Sequence, residues 1–181
     1  VVGETEILGQ VRAASDAALA RQWTGPVVGR VFQKTFQAAK HIRTHTGIGA
    51  GQVSIATVAV DLAGRIFGEL DTSKVLVVGA GDIGLKTAQA FQSRGAASIT
   101  VASRTLSNAE ATAAQSGGWA ASLAELPELL TAADIVASST SAPGFVLTAE
   151  LVAAAMKRRA ARPLFLIDLA LPRDIDPAAA A

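Results

Sequence analysis

Cysteine and tyrosine are missing from this 181-residue sequence, and aromatic residues make up only 4% of it. Without cysteine, the chain itself has no disulfide, no zinc–thiolate site and no thiol nucleophile. A hydrophobic share of 50% must therefore consist mainly of aliphatic side chains, which are expected to form the core. Charged residues are also scarce, at 17% with a net charge of +1, so neither a disordered tail nor a strongly basic nucleic-acid surface is indicated.

Long apolar runs are absent too. No stretch of 18 residues is free of polar side chains, so neither a membrane-spanning helix nor a membrane partner is expected. The first residues, VVGETEILGQV, lack the basic start of a signal peptide, and the chain does not begin with Met. The sequence predicts a cytoplasmic protein, of which this chain is a piece.

Helical periodicity dominates the first part of the chain. Apolar residues at helical spacing predict helices over 4–22, 27–45 and 53–67, with breaks at 24–26 and 46–51. No strand-like alternation lies between these segments. We therefore predict a helical section over 1–50 and a further helix within 51–70, distinct from the part of the chain that follows.

Short apolar runs alternate with helical stretches from residue 71 onward. Strands are predicted over 75–78, 98–102, 135–137 and 164–168, and helices over 83–93, 106–116, 123–132 and 148–159, the third of them interrupted at Pro127. Such alternation is typical of a parallel sheet covered by helices on both faces. The predicted fold class is α/β: a Rossmann-like, doubly wound parallel sheet over 71–181, preceded by a helical segment from an adjoining domain.

The segment KVLVVGAGDIGLKTAQAF (74–91) combines a strand, a glycine-rich turn and a helix. The spacing G-x-G-x-x-G serves three needs: a tight turn, the approach of the backbone to a pyrophosphate, and close packing of the helix on the strand. The free N–H groups of the helix N-terminus favour phosphate. These features predict a dinucleotide site, with a plain structural turn as the alternative. Its residues would be Gly79, Ala80, Gly81, Asp82, Ile83 and Gly84.

The end of the second predicted strand, TVASRTLSN, distinguishes between the two nicotinamide cofactors. NAD-binding proteins place a carboxylate here for the ribose 2′-hydroxyl, but no Asp or Glu occurs between Gly95 and Ala109. Ser103, Arg104 and Thr105 offer a guanidinium and two hydroxyls instead, which suit a 2′-phosphate. We therefore predict NADPH as the cofactor. The alternative is that Arg104 is a solvent-facing turn residue.

Two later segments also carry polar residues after predicted strands. In SSTSAPG (138–144), Ser139 and Thr140 are predicted to contact the cofactor, because loops at the carboxyl ends of parallel strands face the ligand crevice. An ordinary Ser/Pro/Gly loop is an equal alternative. In IDLALPRDIDP (167–177), charged residues follow a buried strand. Asp168, Arg173 and Asp174 are expected to fix the end of the sheet or to link the domains through an ion pair, and no chemistry is assigned to them.

Several stretches together resemble one family, the glutamyl-tRNA reductases. They are VVGETEILGQV (1–11), VFQKTFQAAKHIRTHTGIG (31–49), VLVVGAGDIG (75–84), VASRT (101–105), ADIVASSTSAP (133–143) and IDLALPRDIDP (167–177). The resemblance implies NADPH-dependent reduction of glutamyl-tRNA to glutamate-1-semialdehyde in tetrapyrrole, hence porphyrin and haem, biosynthesis. It also implies that residues 1–50 are the end of a catalytic or substrate domain, that 51–70 form a connecting helix, and that 71–181 form an NADPH-binding domain.

The resemblance also implies which parts of the reaction depend on residues outside this chain. In that family a catalytic-domain cysteine forms a thioester with the glutamate, and hydride from NADPH reduces it. The nucleophile is expected upstream, no catalytic residue is assigned to this chain, and the piece alone is expected to be inactive. The family's stretch GE-x-x-ILGQ places substrate-binding residues at Glu4, Thr5, Glu6 and Gln10. Many members have Pro-Gln in place of Thr5-Glu6, and Gly is common in place of Ser141.

The sequence also bears on the partners of the protein and on alternative functions. The resemblance implies glutamyl-tRNA as a partner, a homodimer formed through a missing C-terminal domain, and channelling of the product to glutamate-1-semialdehyde aminomutase. One alternative is another NADP-dependent oxidoreductase, of the shikimate-dehydrogenase-like or methylene-tetrahydrofolate-dehydrogenase-like type. A second is a non-catalytic NADP-binding module. No metal site is predicted, because His41 and His45 have no evident third ligand.

Overall fold

Two helices form most of the first of two units, Val1–Val53 and Ser54–Ala181, into which the chain divides. The computed structural model describes residues 5–49 and 54–180. Helix α1 (Thr5–Ala20) is followed by α2 (Pro26–His45) and a 3₁₀ turn, Gly47–Gly49. Pro26 lies in the first turn of α2, where a proline removes no helical hydrogen bond.

The first unit buries few apolar side chains within itself. Phe32 and Phe36 of α2 stack with ring centroids 6.1 Å apart, and the guanidinium of Arg12 lies over the Phe36 ring at 5.0 Å. No residue of α2 is fully buried, however, and Val27 is 75% exposed. Since most helical stability in proteins comes from packing of an apolar face, α1 and α2 do not form a core by themselves.

A five-stranded parallel sheet is the centre of the second unit. Its strands are β1 (Lys74–Val78), β2 (Ser98–Ser103), β3 (Trp119–Ser122), β4 (Ile135–Ser138) and β5 (Phe165–Asp168), in the spatial order β3-β2-β1-β4-β5. The helices are α3 (Ile55–Phe67), α4 (Asp82–Ser93), α5 (Leu106–Ser116), α6 (Leu126–Ala132) and α7 (Ala149–Lys157), with 3₁₀ turns at Leu123–Glu125 and Pro177–Ala180. The strand order reverses between β1 and β4, and such a reversal is where this class of sheet binds ligands.

Alternate residues of β1 enter two separate cores. Val75 and Val77 pack in a cluster with Phe91 of α4 and with apolar residues of α3. Leu76 and Val78 pack in a second cluster with residues of α6 and α7. Because successive strand side chains point to opposite faces, helices cover both faces of the sheet. The α/β, Rossmann-like fold class predicted from the sequence is confirmed. None of the helices in the described part of the chain is long and apolar enough to cross a membrane.

Two details of the second unit differ from the sequence-based predictions. The pattern predicts four strands, but WAAS (119–122) forms a fifth, β3, which pairs only with β2. This strand lacks the β-branched residues that identify strands, because an edge position demands little packing. Pro127 does not interrupt a helix: it lies in the first turn of α6, after a 3₁₀ turn that ends at Glu125. Proline is tolerated there since it removes no hydrogen bond.

A buried guanidinium joins α6, α7 and the start of β5. Arg159 is 2% exposed, and it donates to the carbonyl oxygens of Leu130, Thr131, Ala133 and Pro163. Burial lowers the pKa of Arg159, the neighbouring charge of Arg162 lowers it further, and Asp134 opposes both. The carbonyls satisfied by Arg159 include the last ones of α6, which have no partner within the helix.

Replacing Arg159 is expected to destabilise the second unit strongly. In Arg159→Leu, several buried carbonyls lose their donor, so we expect a loss of about 3 kcal/mol in the free energy of unfolding, measured with urea. The neighbouring Arg158 is the matched control: its ion pair with Glu128, at 3.7 Å, is exposed on both sides. Arg158→Leu is expected to change stability by less than about 1 kcal/mol. Equal losses for the two variants would contradict a structural role for Arg159.

Candidate functional site

Gly79 begins a tight turn directly after β1. Its φ of +107° lies in a region that favours glycine. Its N–H donates to the carbonyl oxygen of Ala102 at 2.8 Å, so the turn stays attached to the end of β2. A Cβ at position 79 would lie 2.7 Å from the carbonyl oxygen of Ser139. Both the backbone conformation and the neighbouring strand end therefore require glycine here.

Gly84 and Gly81 have opposite surroundings within the same turn. A Cβ on Gly84 would lie 2.1 Å from the carbonyl oxygen of Gly79, because α4 packs with its backbone directly on the turn. A Cβ on Gly81 would meet nothing within 4 Å. The first and third glycines are thus required by packing. The middle glycine leaves open space beside the helix N-terminus, where the motif predicts a pyrophosphate.

The N-terminus of α4 is free to bind an anion. Gly81 is its N-cap residue and has no side chain to accept from the N–H groups of the first turn. These groups, with the helix dipole, form a favourable place for phosphate oxygens. Asp82 and Ile83 are the first two residues of α4, and Asp82 is exposed; Ala80, just before the N-cap, is half-buried.

Ser139 completes the turn from the neighbouring strand. Its N–H donates to the carbonyl oxygen of Val78 at 2.8 Å, which extends the pairing between β1 and β4. Its Oγ lies 3.2 Å and 3.3 Å from where Cβ atoms on Gly79 and Gly84 would be. This Oγ is buried and has no hydrogen-bond partner among the described residues. A buried hydroxyl without a partner costs about 1–3 kcal/mol, so the unpaired Oγ of Ser139 requires an explanation.

The end of β2 lies at the same edge of the sheet as the glycine turn. Ala102 is in register with Val78, so Ser103 and the two residues after it extend beyond the strand pair. Ser103 is half-buried, while Arg104 and Thr105 are exposed. The Arg104 guanidinium has no ion pair or hydrogen bond within residues 5–49 and 54–180. It is therefore available to an anionic ligand at this edge.

Asp174 connects the β4 end to the segment after β5, as one of the two expectations for these charges has it, although the sequence does not predict its partners. Its carboxylate accepts from Ser138 Oγ at 2.7 Å and from the N–H of Thr140 at 2.6 Å, and it also accepts from the Thr140 hydroxyl. Asp168 in turn accepts from the N–H groups of Ala170, Asp174 and Ile175. Thr140, predicted as a cofactor contact, thus has its hydroxyl hydrogen-bonded within the protein. Only the position of two acids after a buried strand hints at this arrangement.

The predicted substrate residues belong to the first unit. Glu4 lies outside the described residues, and Thr5 and Glu6 are in the first turn of α1 by their backbone. Gln10 is exposed on α1. A surface groove of the same unit is lined by Leu8, Arg12, Phe36, Lys40, Arg43 and Thr44, and Gln10 does not line it. In the described part of the chain, no three His, Cys, Asp or Glu side chains come together to hold a metal ion.

Comparison with known families defines the class of this protein. Residues 61–181 match the family described as shikimate / quinate 5-dehydrogenase, and residues 1–46 match the family described as the N-terminal domain of glutamyl-tRNA reductase. Because the first match covers more than half of the chain, the chain belongs to that family through its second unit, whose fold takes a nicotinamide cofactor.

Individual relatives show which proteins this chain is most usefully compared with. A glutamyl-tRNA reductase of Syntrophus aciditrophicus is 48% identical over 99% of this chain, and one of Geobacillus thermodenitrificans is 46% identical over 99%. The chain spans 42% and 40% of those proteins. The solved glutamyl-tRNA reductase of Methanopyrus kandleri is 38% identical, with a TM-score of 0.67 over 98% of this chain and 45% of its own. The predicted resemblance to part of a glutamyl-tRNA reductase is confirmed.

A further solved structure supports the fold of the second unit. It is described as the nucleotide binding domain of the glutamyl-tRNA reductase of Thermoplasma volcanium. It is 24% identical, with a TM-score of 0.56 over 70% of this chain and 82% of its own. Since the curated relatives match both units, the shikimate-dehydrogenase-like alternative is not favoured for the chain as a whole.

Substitution by alanine is expected to change the stability of the protein differently at Gly84 and at Gly81. Gly84→Ala places a Cβ against the Gly79 carbonyl, so we expect a loss of about 2 kcal/mol in the free energy of unfolding. Gly81→Ala has open space and a φ of −85°, so it is expected to cost less than about 1 kcal/mol, which is the usual cost of alanine at an N-cap. Urea unfolding without cofactor measures both. Equal stability of the two variants would contradict the packing described for α4.

Proposed function

We propose that the second unit binds NADPH at the glycine turn. The observation that supports this most directly is the buried, unpartnered Oγ of Ser139, which lies beside Gly79 and Gly84 of the glycine turn. A dinucleotide pyrophosphate is an anionic acceptor that fits both this hydroxyl and the N-terminus of α4. The residues present therefore fit the cofactor class that the family implies.

Within this proposal, each predicted cofactor residue has a distinct role. The backbone of Gly79–Gly84 surrounds the pyrophosphate, and the Ser139 hydroxyl donates to it. Ser103, Arg104 and Thr105 bind the adenosine ribose and its 2′-phosphate, because a planar guanidinium gives paired donors to a phosphate. Thr140 helps to fix the loop that carries Ser139, because its hydroxyl donates to Asp174. The absence of an acid at the end of β2 favours NADPH over NADH.

We further propose that the protein containing this chain reduces glutamyl-tRNA to glutamate-1-semialdehyde for tetrapyrrole synthesis. The relatives that match both units support this activity. NADPH supplies a hydride for reduction of an activated acyl group. This chain would bind and orient that reductant, while a thiol nucleophile must come from outside it, since the sequence has no cysteine. Glu4, Thr5, Glu6 and Gln10 remain the proposed contacts for the glutamyl group.

The homodimer and the transfer of the product to glutamate-1-semialdehyde aminomutase are proposed on the resemblance to the family. The cytoplasmic location stays a prediction from the sequence, which has neither a long apolar run nor a basic start typical of a signal peptide.

Cofactor choice is tested by titrating the full-length protein with NADPH and NADH while following calorimetric heat. We expect NADPH to bind at least tenfold more tightly, because Arg104 pairs with the 2′-phosphate. Arg104→Gln should weaken NADPH binding about tenfold and leave NADH binding unchanged. Arg65→Gln, which changes an exposed arginine of α3, is the matched control and should alter neither. Equal affinities for the two cofactors in the parent would contradict the role of Arg104.

The reaction is tested with glutamyl-tRNA, NADPH and the full-length protein, following glutamate-1-semialdehyde. Gly81→Val fills the open space beside α4 and should abolish both NADPH binding and turnover, while the fold is retained. A parent protein that binds NADPH but releases no semialdehyde would disprove the proposed reaction and leave cofactor binding standing. Unchanged NADPH affinity in Gly81→Val would disprove the proposed cofactor site.

A further inference from the structure

Asp174 is a fully buried carboxylate that the proposed cofactor contacts do not include. It is 0% exposed, and the acceptor bonds of its side chain go to Ser138 and Thr140. All these donors are neutral, and no cation pairs with it among the described residues. A buried carboxylate is costly unless it is fully hydrogen-bonded. We therefore infer that Ser138 and Thr140, the residues bound by Asp174, need a fixed position.

Those residues are the immediate neighbours of Ser139. Asp174 fixes Ser138 on one side and Thr140 on the other, and the N–H of Ser139 itself donates to the carbonyl oxygen of Val78. The carbonyl of Ser138 also accepts from the N–H of Leu169 at 2.8 Å. The backbone on both sides of Ser139 is thus fixed by polar contacts, while its own hydroxyl has no partner.

The segment that carries Asp174 is fixed as firmly as the turn. The carbonyl oxygen of Asp174 accepts from the N–H groups of Val146 and Leu147 at 2.7 Å and 2.9 Å. Its N–H donates to the carboxylate of Asp168 at 3.1 Å. Three stretches of chain therefore meet at Asp174: the end of β4, residues 146–147 and the end of β5. An anchor of this kind holds a side chain near the geometry its ligand needs.

We propose that Asp174 is a positioning residue for the dinucleotide, which acts by holding the Ser138–Thr140 turn so that the Ser139 hydroxyl faces the glycine turn. This inference rests on the proposed cofactor site. Asp174 does not touch the ligand, and its effect on affinity passes through Ser139. The backbone that carries the Ser139 hydroxyl is fixed before binding, so little conformational entropy is lost when the ligand arrives.

A double-mutant cycle tests this coupling in the full-length protein, with NADPH as the probe and calorimetry as the readout. Asp174→Asn keeps the side-chain shape but cannot accept from all the present donors, and we expect about a tenfold rise in the NADPH Kd. Ser139→Ala should cause a rise of similar size. Combining the two should raise the Kd by no more than about twofold beyond the larger single effect. Asp176→Asn is the control and should leave the Kd unchanged, because the Asp176 carboxylate lies in the same segment but accepts from the N–H of Ala178 rather than from the Ser138–Thr140 turn.

The outcomes separate this inference from the proposed function. If the parent binds NADPH and the effects of Asp174→Asn and Ser139→Ala on the Kd multiply, Asp174 affects binding independently of Ser139 and the inference is wrong. If Asp174→Asn leaves the Kd unchanged, Asp174 acts on stability alone and the inference is equally wrong. If the parent does not bind NADPH, the proposed cofactor site is wrong and the inference falls with it. Should Asp174→Asn not fold, Ser138→Ala replaces it in the same cycle, since it removes one bond to the carboxylate; independence from Ser139 would again contradict the inference.

Discussion

The contact between the backbone of α4 and the turn after β1 is the constraint on which the second unit depends. Gly84 approaches the Gly79 carbonyl more closely than any residue with a Cβ permits. This approach sets the distance of α4 from the sheet, and it directs the free N-terminus of the helix towards the edge where β1, β2 and β4 end. A turn that only reverses the chain direction needs no such packing. The close contact at Gly84 and the open space at Gly81 are the two features that a dinucleotide-binding turn requires.

Local sequence patterns predicted most of the fold of the second unit. The strand β1, helix α4 and strand β2 were predictable because buried parallel strands are continuous apolar runs and glycines mark the turn between strand and helix. Strand β3 was not predictable, because Trp119–Ser122 pairs on one side only and carries no β-branched residue. The prediction that Pro127 interrupts a helix is wrong. A proline in the first turn of a helix and a proline that breaks a helix differ only in the residues that precede them.

The candidate site was predictable to the extent that its residues are neighbours in sequence. The glycine spacing and Arg104 each follow a strand directly, so their shared edge follows from a parallel sheet. The bonds from Asp174 to Ser138 and Thr140 join residues 36 and 34 positions apart, and no periodicity encodes such a pairing. Nor does the sequence show that the Ser139 hydroxyl is left without a partner. Those features depend on tertiary packing, which a single sequence does not display.

A crystal structure of the full-length protein with NADPH tests the central claim most directly. The account predicts the pyrophosphate against the N-terminus of α4 at Gly81, within hydrogen-bond distance of Ser139 Oγ, and the 2′-phosphate against the Arg104 guanidinium. Asp174 should keep its bonds to Ser138 and Thr140 in the complex. A dinucleotide bound elsewhere on the protein, or a pyrophosphate out of reach of both Gly81 and Ser139, would contradict it.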